Sequence, residues 1–130
     1  MNHFNQEVER IKGICFSNTF QLDMAMNTKR YIEANFDQPL NSDLLAHLQH
    51  TSKYHLIRVF KKYYGITPRQ FLINKRIQEA KQLLKSGETV SHTCYTVGFE
   101  SVASFSHLFK TKTGMPPSVY RRATFDKSKS

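Results

Sequence analysis

The sequence contains one pattern twice, and this repeat restricts the possible folds more than any other feature. At an offset of 49 residues, the stretch SKYHLIRVFKKYYGITP falls on SVASFSHLFKTKTGMPP. Upstream of these stretches the offset becomes 48, so the second copy has one more residue in its break. Breaks between helices are where repeats tolerate insertions. The chain therefore carries one structural unit in two copies. The identical pairs are Ser52 and Ser101, Phe60 and Phe109, Lys61 and Lys110, Gly65 and Gly114, and Pro68 and Pro117.

Each copy has the pattern of a short helix, a break and a longer helix. In the first copy Asn41 caps a short helix over about 42–48, and Ser52 caps a longer helix over 53–64 that ends at Gly65. Two helices joined by such a break form a helix-turn-helix. The corresponding helices of the second copy cover about 90–97 and 101–113, and the two predicted helix-turn-helix units span about 41–64 and 90–113.

The remaining segments complete an all-α chain, because none shows the period-two alternation of a strand. Thr67, Pro68 and Gln70 form a helix-start signature for a long linker helix over about 68–85. We therefore predict an all-α fold of about seven helices, with two helix-turn-helix subdomains joined by a long linker helix. The other predicted segments are a leader or linker remnant at 1–20, a first helix at about 22–36, a last turn at 117–122 and a disordered tail at 124–130, which leaves a domain over 21–123.

Basic side chains are concentrated in two parts of the chain. The 19 lysines and arginines outnumber the 10 acidic residues, which gives a formal net charge of +9. Residues 49–85 carry a net +8 and residues 104–130 a net +5, whereas 1–48 and 86–103 each carry −2. Since 39% of the residues are hydrophobic, the chain can bury a core and is not a disordered basic tail. The charge indicates a polyanionic partner such as double-stranded DNA.

Each longer helix has an apolar face and a polar face when its residues are placed at about 100° steps. In the first, Leu56, Val59, Phe60 and Tyr63 fall inward, while Tyr54, Arg58 and Lys61 fall outward, flanked by Ile57 and Lys62. In the second, Phe105, Leu108 and Phe109 fall inward, while Ala103, His107 and Lys110 fall outward, with Ser106 beside them.

The outward faces suit a DNA groove. Arg58 can bind a guanine edge through two parallel hydrogen bonds, and Tyr54, Ile57 or Ala103 can touch a thymine methyl. One such face on one helix is an ordinary solvated surface. Its occurrence behind a short helix and a break in both copies favours DNA binding. The predicted phosphate contacts are Lys61, Lys62 and Lys110.

Both copies resemble the DNA-binding domain of the AraC/XylS family of transcription regulators, over about residues 22–122. SKYHLIRVFKKYYGITPRQFL is similar to the family's first recognition helix and the start of its linker helix, and VGFESVASFSHLFKTKTGMPPSVYR is similar to its C-terminal signature. The resemblance implies two recognition helices that enter successive major grooves on one DNA face, and activation through RNA polymerase. The signature residues present are Gly98, Phe99, Phe105, Phe109, Lys110, Gly114, Pro117, Tyr120 and Arg121.

The resemblance also implies which residues contact DNA. Base contacts of the family fall on the positions of Tyr54, Ile57 and Arg58 in the first unit, and of Val102, Ala103 and His107 in the second. The complete predicted DNA-binding set is Ser52, Lys53, Tyr54, Ile57, Arg58, Lys61, Lys62, Ser101, Val102, Ala103, Ser106, His107 and Lys110.

This sequence departs from the family pattern at several positions. His50 stands in the first turn where glycine is usual, and histidine tolerates a positive φ better than most residues. Thr93 and Cys94 replace an Ile-Ala pair, which makes the helix before the second turn less apolar. We expect weaker or partly apolar readout by the second unit, because polar readers are replaced there by Val102, Ala103 and His107.

Other chemistry gives no signal in the sequence. No G-x-S-x-G, phosphate-binding loop or H-E-x-x-H motif occurs, so we predict no enzyme and no catalytic residues. The six histidines form no convincing ligand set, so no metal or cofactor is predicted. Cys15 and Cys94 lack a CxxC spacing and are expected to be reduced. No apolar run approaches the ~18 residues of a membrane span, which predicts a cytoplasmic protein without membrane contact.

Three functions stay open: a sequence-specific transcription regulator, which we favour, a module that pairs with a larger regulator, and a nonspecific nucleic-acid binder. The first predicts binding as a monomer to two half-sites about one helical turn, or ~34 Å, apart, because both recognition helices belong to one polypeptide. The separate sensor domain of many family members has no room in 130 residues, so we expect a stand-alone regulator or a C-terminal fragment.

Overall fold

A computed structural model describes the backbone of residues 3–129 and the side chains of residues 17–125. Residues 3–129 form seven α-helices and no β-strand, which confirms the predicted all-α class. None of these helices combines the length and apolar character needed to cross a bilayer. The helices are α1 (His3–Asn35), α2 (Ser42–Leu48), α3 (Lys53–Tyr64), α4 (Pro68–Lys85), α5 (Val90–Thr96), α6 (Val102–Thr113) and α7 (Pro117–Lys129).

Local capping signals set most helix bounds, and α2, α3 and α4 have the predicted ones. The Asn41 side chain accepts a hydrogen bond from the Leu44 N–H at 2.7 Å, which closes the start of α2. Pro68 is the first residue of α4, where its missing N–H costs no helical hydrogen bond. α5 and α6 differ from prediction by one residue, because Val97 and Ser101 are caps rather than helical residues.

α1 begins much earlier than the predicted helix at about 22–36. The backbone is helical from His3, although residues 1–20 show no sustained apolar period. A period marks only the part of a helix that packs on a core, and a helix without a breaker can continue beyond it. The side chains of residues 1–16 lie outside the described part of the chain, and the interpretation of 1–20 as a leader or linker remnant stays a prediction.

α7 also extends past its predicted end. The prediction of a last turn ending near Arg122 and of a disordered tail at 124–130 is wrong for residues 124–129, because α7 continues to Lys129. No glycine or proline follows Pro117 to stop the helix. The Thr124 hydroxyl donates to the Tyr120 carbonyl at 2.7 Å, and the Arg121 guanidinium lies 5.8 Å from the centre of the Phe125 ring.

The chain divides into two compact units, Met1–Tyr31 with Asn41–Pro68 and Ile32–Leu40 with Arg69–Ser130. In the first unit α2 packs on α3. Tyr63, predicted to face inward, is half-buried and donates its hydroxyl to the Asn18 carbonyl of α1 at 3.3 Å. The buried residues of this unit are Met24, Ala25, Thr28, Leu45, Ala46, Leu56, Val59, Phe60 and Pro68, which confirms the inward face of α3.

In the second unit α5, α6 and α7 pack on one another. The Phe105 ring centre lies 5.2 Å from that of Phe99 and 5.7 Å from that of Phe109, and Phe109 meets Tyr120 edge-on at 5.3 Å. Such tilted and edge-on pairs stabilise a core beyond the area they bury. The buried cluster is Ile77, Ala80, Leu84, Cys94, Val97, Phe99, Phe105 and Phe109.

Thr93 and Cys94, the two departures that make α5 less apolar, are both fully buried. The Cys94 thiol forms no disulfide, and its burial raises its pKa. The Thr93 hydroxyl has no hydrogen-bond partner among the described residues. An unpaired buried hydroxyl costs stability.

Candidate DNA interface

α3 is the first candidate recognition helix. The Ser52 hydroxyl accepts a hydrogen bond from the His55 N–H at 3.2 Å, which fixes the first turn of α3. Gly65 ends the helix at a φ of +79°, a conformation that favours glycine. The cap uses one lone pair of the Ser52 oxygen, so the hydroxyl hydrogen stays available to donate to a phosphate.

The outward face of α3 is exposed as predicted. Tyr54 is 78% exposed, and Arg58 and Lys61 are also exposed. Ile57 is half-buried beside them. On this face, the planar guanidinium of Arg58 can bind a base edge and the ammonium group of Lys61 can bind a phosphate. The apolar surface of Tyr54 and Ile57 can contact a thymine methyl.

Two predicted DNA-binding lysines at the border of this face contact neighbouring side chains. The Lys53 ammonium lies 3.7 Å from the Asp43 carboxylate and 5.5 Å from the centre of the Tyr54 ring. The Lys62 ammonium donates to the Gln21 side chain of α1 at 3.5 Å. These contacts are exposed and therefore weak, so a phosphate can replace them.

One contact on the outward face was not predicted from the sequence. Arg58 Nη2 lies 3.4 Å from Nδ1 of His55, one helical turn earlier. The i,i+3 spacing of these two residues is the signal that would have indicated the contact.

α6 is the second candidate recognition helix, and its start repeats that of α3. The Ser101 hydroxyl accepts from the Ser104 N–H at 3.1 Å. Ala103, His107 and Lys110 are exposed as predicted, and Ser106 is half-buried. Val102, predicted to contact a base, instead packs partly against the core of its unit, which leaves less of its side chain for DNA.

The two turns before these helices have matching geometry. His50 has a φ of 55° and Gly98 a φ of 104°. The Thr51 N–H donates to the Ala46 carbonyl at 3.1 Å, and the Phe99 N–H donates to the Cys94 carbonyl at 3.0 Å. The two turns, which align at an offset of 48 residues, thus contain equivalent backbone hydrogen bonds. The positive φ expected at His50 is confirmed.

Replacing His50 with glycine should stabilise the protein. The left-handed conformation costs a non-glycine residue about 1–2 kcal/mol, and glycine removes this strain. Glycine also has a larger conformational entropy in the unfolded state, which offsets about 0.5–1 kcal/mol of the gain. We expect His50→Gly to raise the free energy of unfolding by roughly 0.5–1 kcal/mol, measured by urea denaturation. As a control, His47→Gly within α2 should lower it by up to about 1 kcal/mol. A destabilising His50→Gly would mean that the imidazole makes contacts that outweigh the strain.

Among residues 17–125, no group of three His, Cys, Asp or Glu side chains lies close enough together to hold a metal ion. The features gathered on both outward faces are instead hydrogen-bond donors, positive charge and apolar surface. Such faces suit the edges and phosphates of nucleic acid.

Comparisons with known proteins agree with this geometry. A family model of the helix-turn-helix domain matches residues 45–123, more than half of the chain. The bifunctional transcriptional activator/DNA repair enzyme AdaA of Bacillus subtilis is 36% identical over 93 residues, which are 71% of this chain and 44% of AdaA. The multiple antibiotic resistance protein MarA of Escherichia coli is 34% identical over 92 residues, 70% of this chain and 72% of MarA. The chain thus spans less than half the length of AdaA.

A solved structure has the same arrangement of helices. The DNA-binding domain of AdpA, a global transcriptional factor solved in complex with a target DNA, superposes with a TM-score of 0.72 at 24% identity, covering 76% of this chain and 90% of that domain. This likeness shows a shared fold. Given the helix-turn-helix match and the relation to MarA, the chain belongs to the AraC/XylS family of helix-turn-helix proteins.

Proposed function

We propose that this protein is a sequence-specific double-stranded DNA-binding transcription regulator that inserts α3 and α6 into successive major grooves. The observation that carries the proposal is the duplicated interface: two capped twelve-residue helices, each behind a short helix and a positive-φ turn, each with an exposed face of donors and lysines. A helix of this kind fits the major groove, where each base pair presents a distinct pattern of donors and acceptors.

Two relatives support this proposal. AdaA is named a transcriptional activator, and the domain of AdpA was solved on its target DNA. Because AdaA is named a transcriptional activator, we infer that this chain activates transcription. In this proposal its protein partner is RNA polymerase and its location is the cytoplasm. The DNA repair activity in the name of AdaA is not assigned to this chain, which corresponds to 44% of that protein.

The roles of individual residues follow from their positions. Arg58 binds a guanine edge, while Tyr54 and Ile57 contact neighbouring bases or a thymine methyl. In α6, Ala103 and His107 take the corresponding positions. The groups assigned to phosphates are Ser52, Lys53, Lys61, Lys62, Ser101, Ser106 and Lys110, and Val102 adds an apolar contact.

A gel-shift competition series with a bound DNA site tests this function against the two alternatives. A sequence-specific regulator keeps its labelled site in the presence of excess unrelated DNA. A nonspecific binder loses the label in proportion to competitor, because phosphate contacts are the same on every sequence. A module that only pairs with a larger regulator shifts no DNA by itself. Either of the last two results would overturn the proposal.

Substitutions on the two faces should separate base contacts from phosphate contacts. We expect Arg58→Ala to cost roughly 1–3 kcal/mol on the best site and to remove the preference at one base position. Lys61→Ala and Lys110→Ala should weaken binding to all sequences alike, each lowering the salt slope of the binding constant by about one. Binding titrations at several salt concentrations, on the best site and on its single-base variants, measure both effects. Full base selectivity in Arg58→Ala would show that Arg58 does not read a base.

A further inference from the structure

We propose that His55 is a positioning residue that orients Arg58 for base recognition before DNA binds, an inference that rests on the proposed function. The side chains meet on the exposed side of α3, where Arg58 Nη2 lies 3.4 Å from His55 Nδ1. An arginine side chain on a helix surface otherwise samples many rotamers, and ordering it on binding costs free energy. A neighbour that favours one orientation lowers this cost.

A hydrogen bond between the two groups requires one tautomer of the imidazole. A guanidinium has donors and no acceptor, so Nδ1 of His55 must be the acceptor and the ring hydrogen must be on Nε2.

The backbone of His55 is anchored as well. Its N–H donates to the Ser52 hydroxyl at 3.2 Å, which makes His55 part of the helix cap. His55 as a whole residue is half-buried, whereas Arg58 is exposed. Arg58 is thus the partner with more freedom to reorient, as a positioning role for His55 requires.

The second unit lacks this arrangement, although it repeats the helix. At the offset of 49 residues, Ser104 takes the place of His55 and His107 that of Arg58. The cap hydrogen bond is retained, since the Ser104 N–H donates to Ser101 at 3.1 Å. The capping function therefore does not need histidine at this position, which separates the contact with Arg58 from the cap.

The expected effect follows from the cost of ordering one long side chain, which corresponds to about 2- to 10-fold in affinity. We expect His55→Ala to reduce the preference for the Arg58 base by this factor and to leave binding to unrelated DNA unchanged. His55→Asn should retain most of the preference, because the asparagine Oδ1 takes the place of Nδ1 as acceptor. Combined with Arg58→Ala, His55→Ala should have no further effect on selectivity.

The experiment uses the full chain and a randomised DNA duplex library, from which the best site and its single-base variants are taken. Base preference is measured for the wild type, His55→Ala, His55→Asn, Arg58→Ala and the double variant, with unfolding curves for each. Ser104→Ala, at the repeat-equivalent position, is the matched control and should leave base preference unchanged. Nitrogen-15 spectra of the free protein report the imidazole tautomer, for which we expect hydrogen on Nε2.

Several results would overturn the inference. These are an unchanged preference in His55→Ala, a loss at a different base position, an equal loss on all DNA, additivity with Arg58→Ala, or a dominant Nδ1–H tautomer. A loss at a different base position would mean that His55 itself contacts a base. An equal loss on all DNA would mean that His55 contacts the DNA backbone. A wild-type chain that selects no site from the library would overturn the proposed function, and this inference with it. If the wild type selects a site and His55→Ala leaves its base preference unchanged, this inference alone is overturned.

Discussion

Moving the two half-sites five base pairs further apart should reduce the affinity of this protein for its DNA about 100-fold. Both candidate recognition helices belong to one chain, and α4 lies between the two helix-turn-helix units in the sequence. Five base pairs rotate the second half-site by about half a helical turn, since one turn is about 10–10.5 base pairs. A monomer that loses its second site loses the gain in effective concentration that linkage provides.

The matched control places the same five base pairs outside the pair of half-sites, where affinity should not change. DNA with a single half-site should bind as weakly as the spaced site. Binding titrations at one salt concentration compare the four duplexes, since phosphate contacts make affinity strongly salt-dependent. If the spaced site binds as tightly as the original, the protein does not use both units on one DNA face, and the proposed monomeric binding is wrong.

Gly98→Ala should be strongly destabilising, because two effects coincide at this turn. Its φ is +104°, which strains any L side chain. An added Cβ would also lie 2.9 Å from the Phe36 carbonyl oxygen and 3.0 Å from Arg76 Nε. Arg76 cannot move away freely, since it donates to the Phe36 carbonyl at 2.7 Å and to the Gln38 carbonyl at 2.8 Å. We expect a loss of roughly 2–5 kcal/mol in the free energy of unfolding.

Gly114→Ala is the control for this substitution. Gly114 belongs to the same unit and has a φ of +89°, but an added Cβ there meets nothing within 4 Å. Strain alone then costs about 1–2 kcal/mol. Denaturant unfolding of both variants, followed by circular dichroism, separates strain from the close approach to Phe36. Equal losses in the two variants would mean that the backbone near Gly98 relaxes and that the close approach has no energetic weight.

The sequence by itself determined the secondary structure of both helix-turn-helix units. Caps at Asn41 and Ser52, Pro68 at the start of α4 and Gly65 after α3 act within one turn of the chain, so their effects can be read locally. The 3.6-residue period determined which residues of α3 and α6 are exposed, and the family resemblance, in which glycine is usual at the position of His50, indicated its positive φ. Such a period gives no information about a helix that continues away from a core, which is why the full extents of α1 and α7 were missed.

The tertiary structure decided the contacts between residues that are distant in sequence. Arg76 meets the carbonyls at the end of α1 and the turn at Gly98, about 40 and 20 residues away, and no periodicity relates these positions. The burial of Thr93 and Cys94, two residues with polar or reactive groups, likewise depends on how α5, α6 and α7 pack. Even the local contact of His55 with Arg58 depends on rotamers, which the spacing permits but does not select. Hydrophobic period and capping specify where helices form, whereas packing selects which of the permitted side-chain contacts are made.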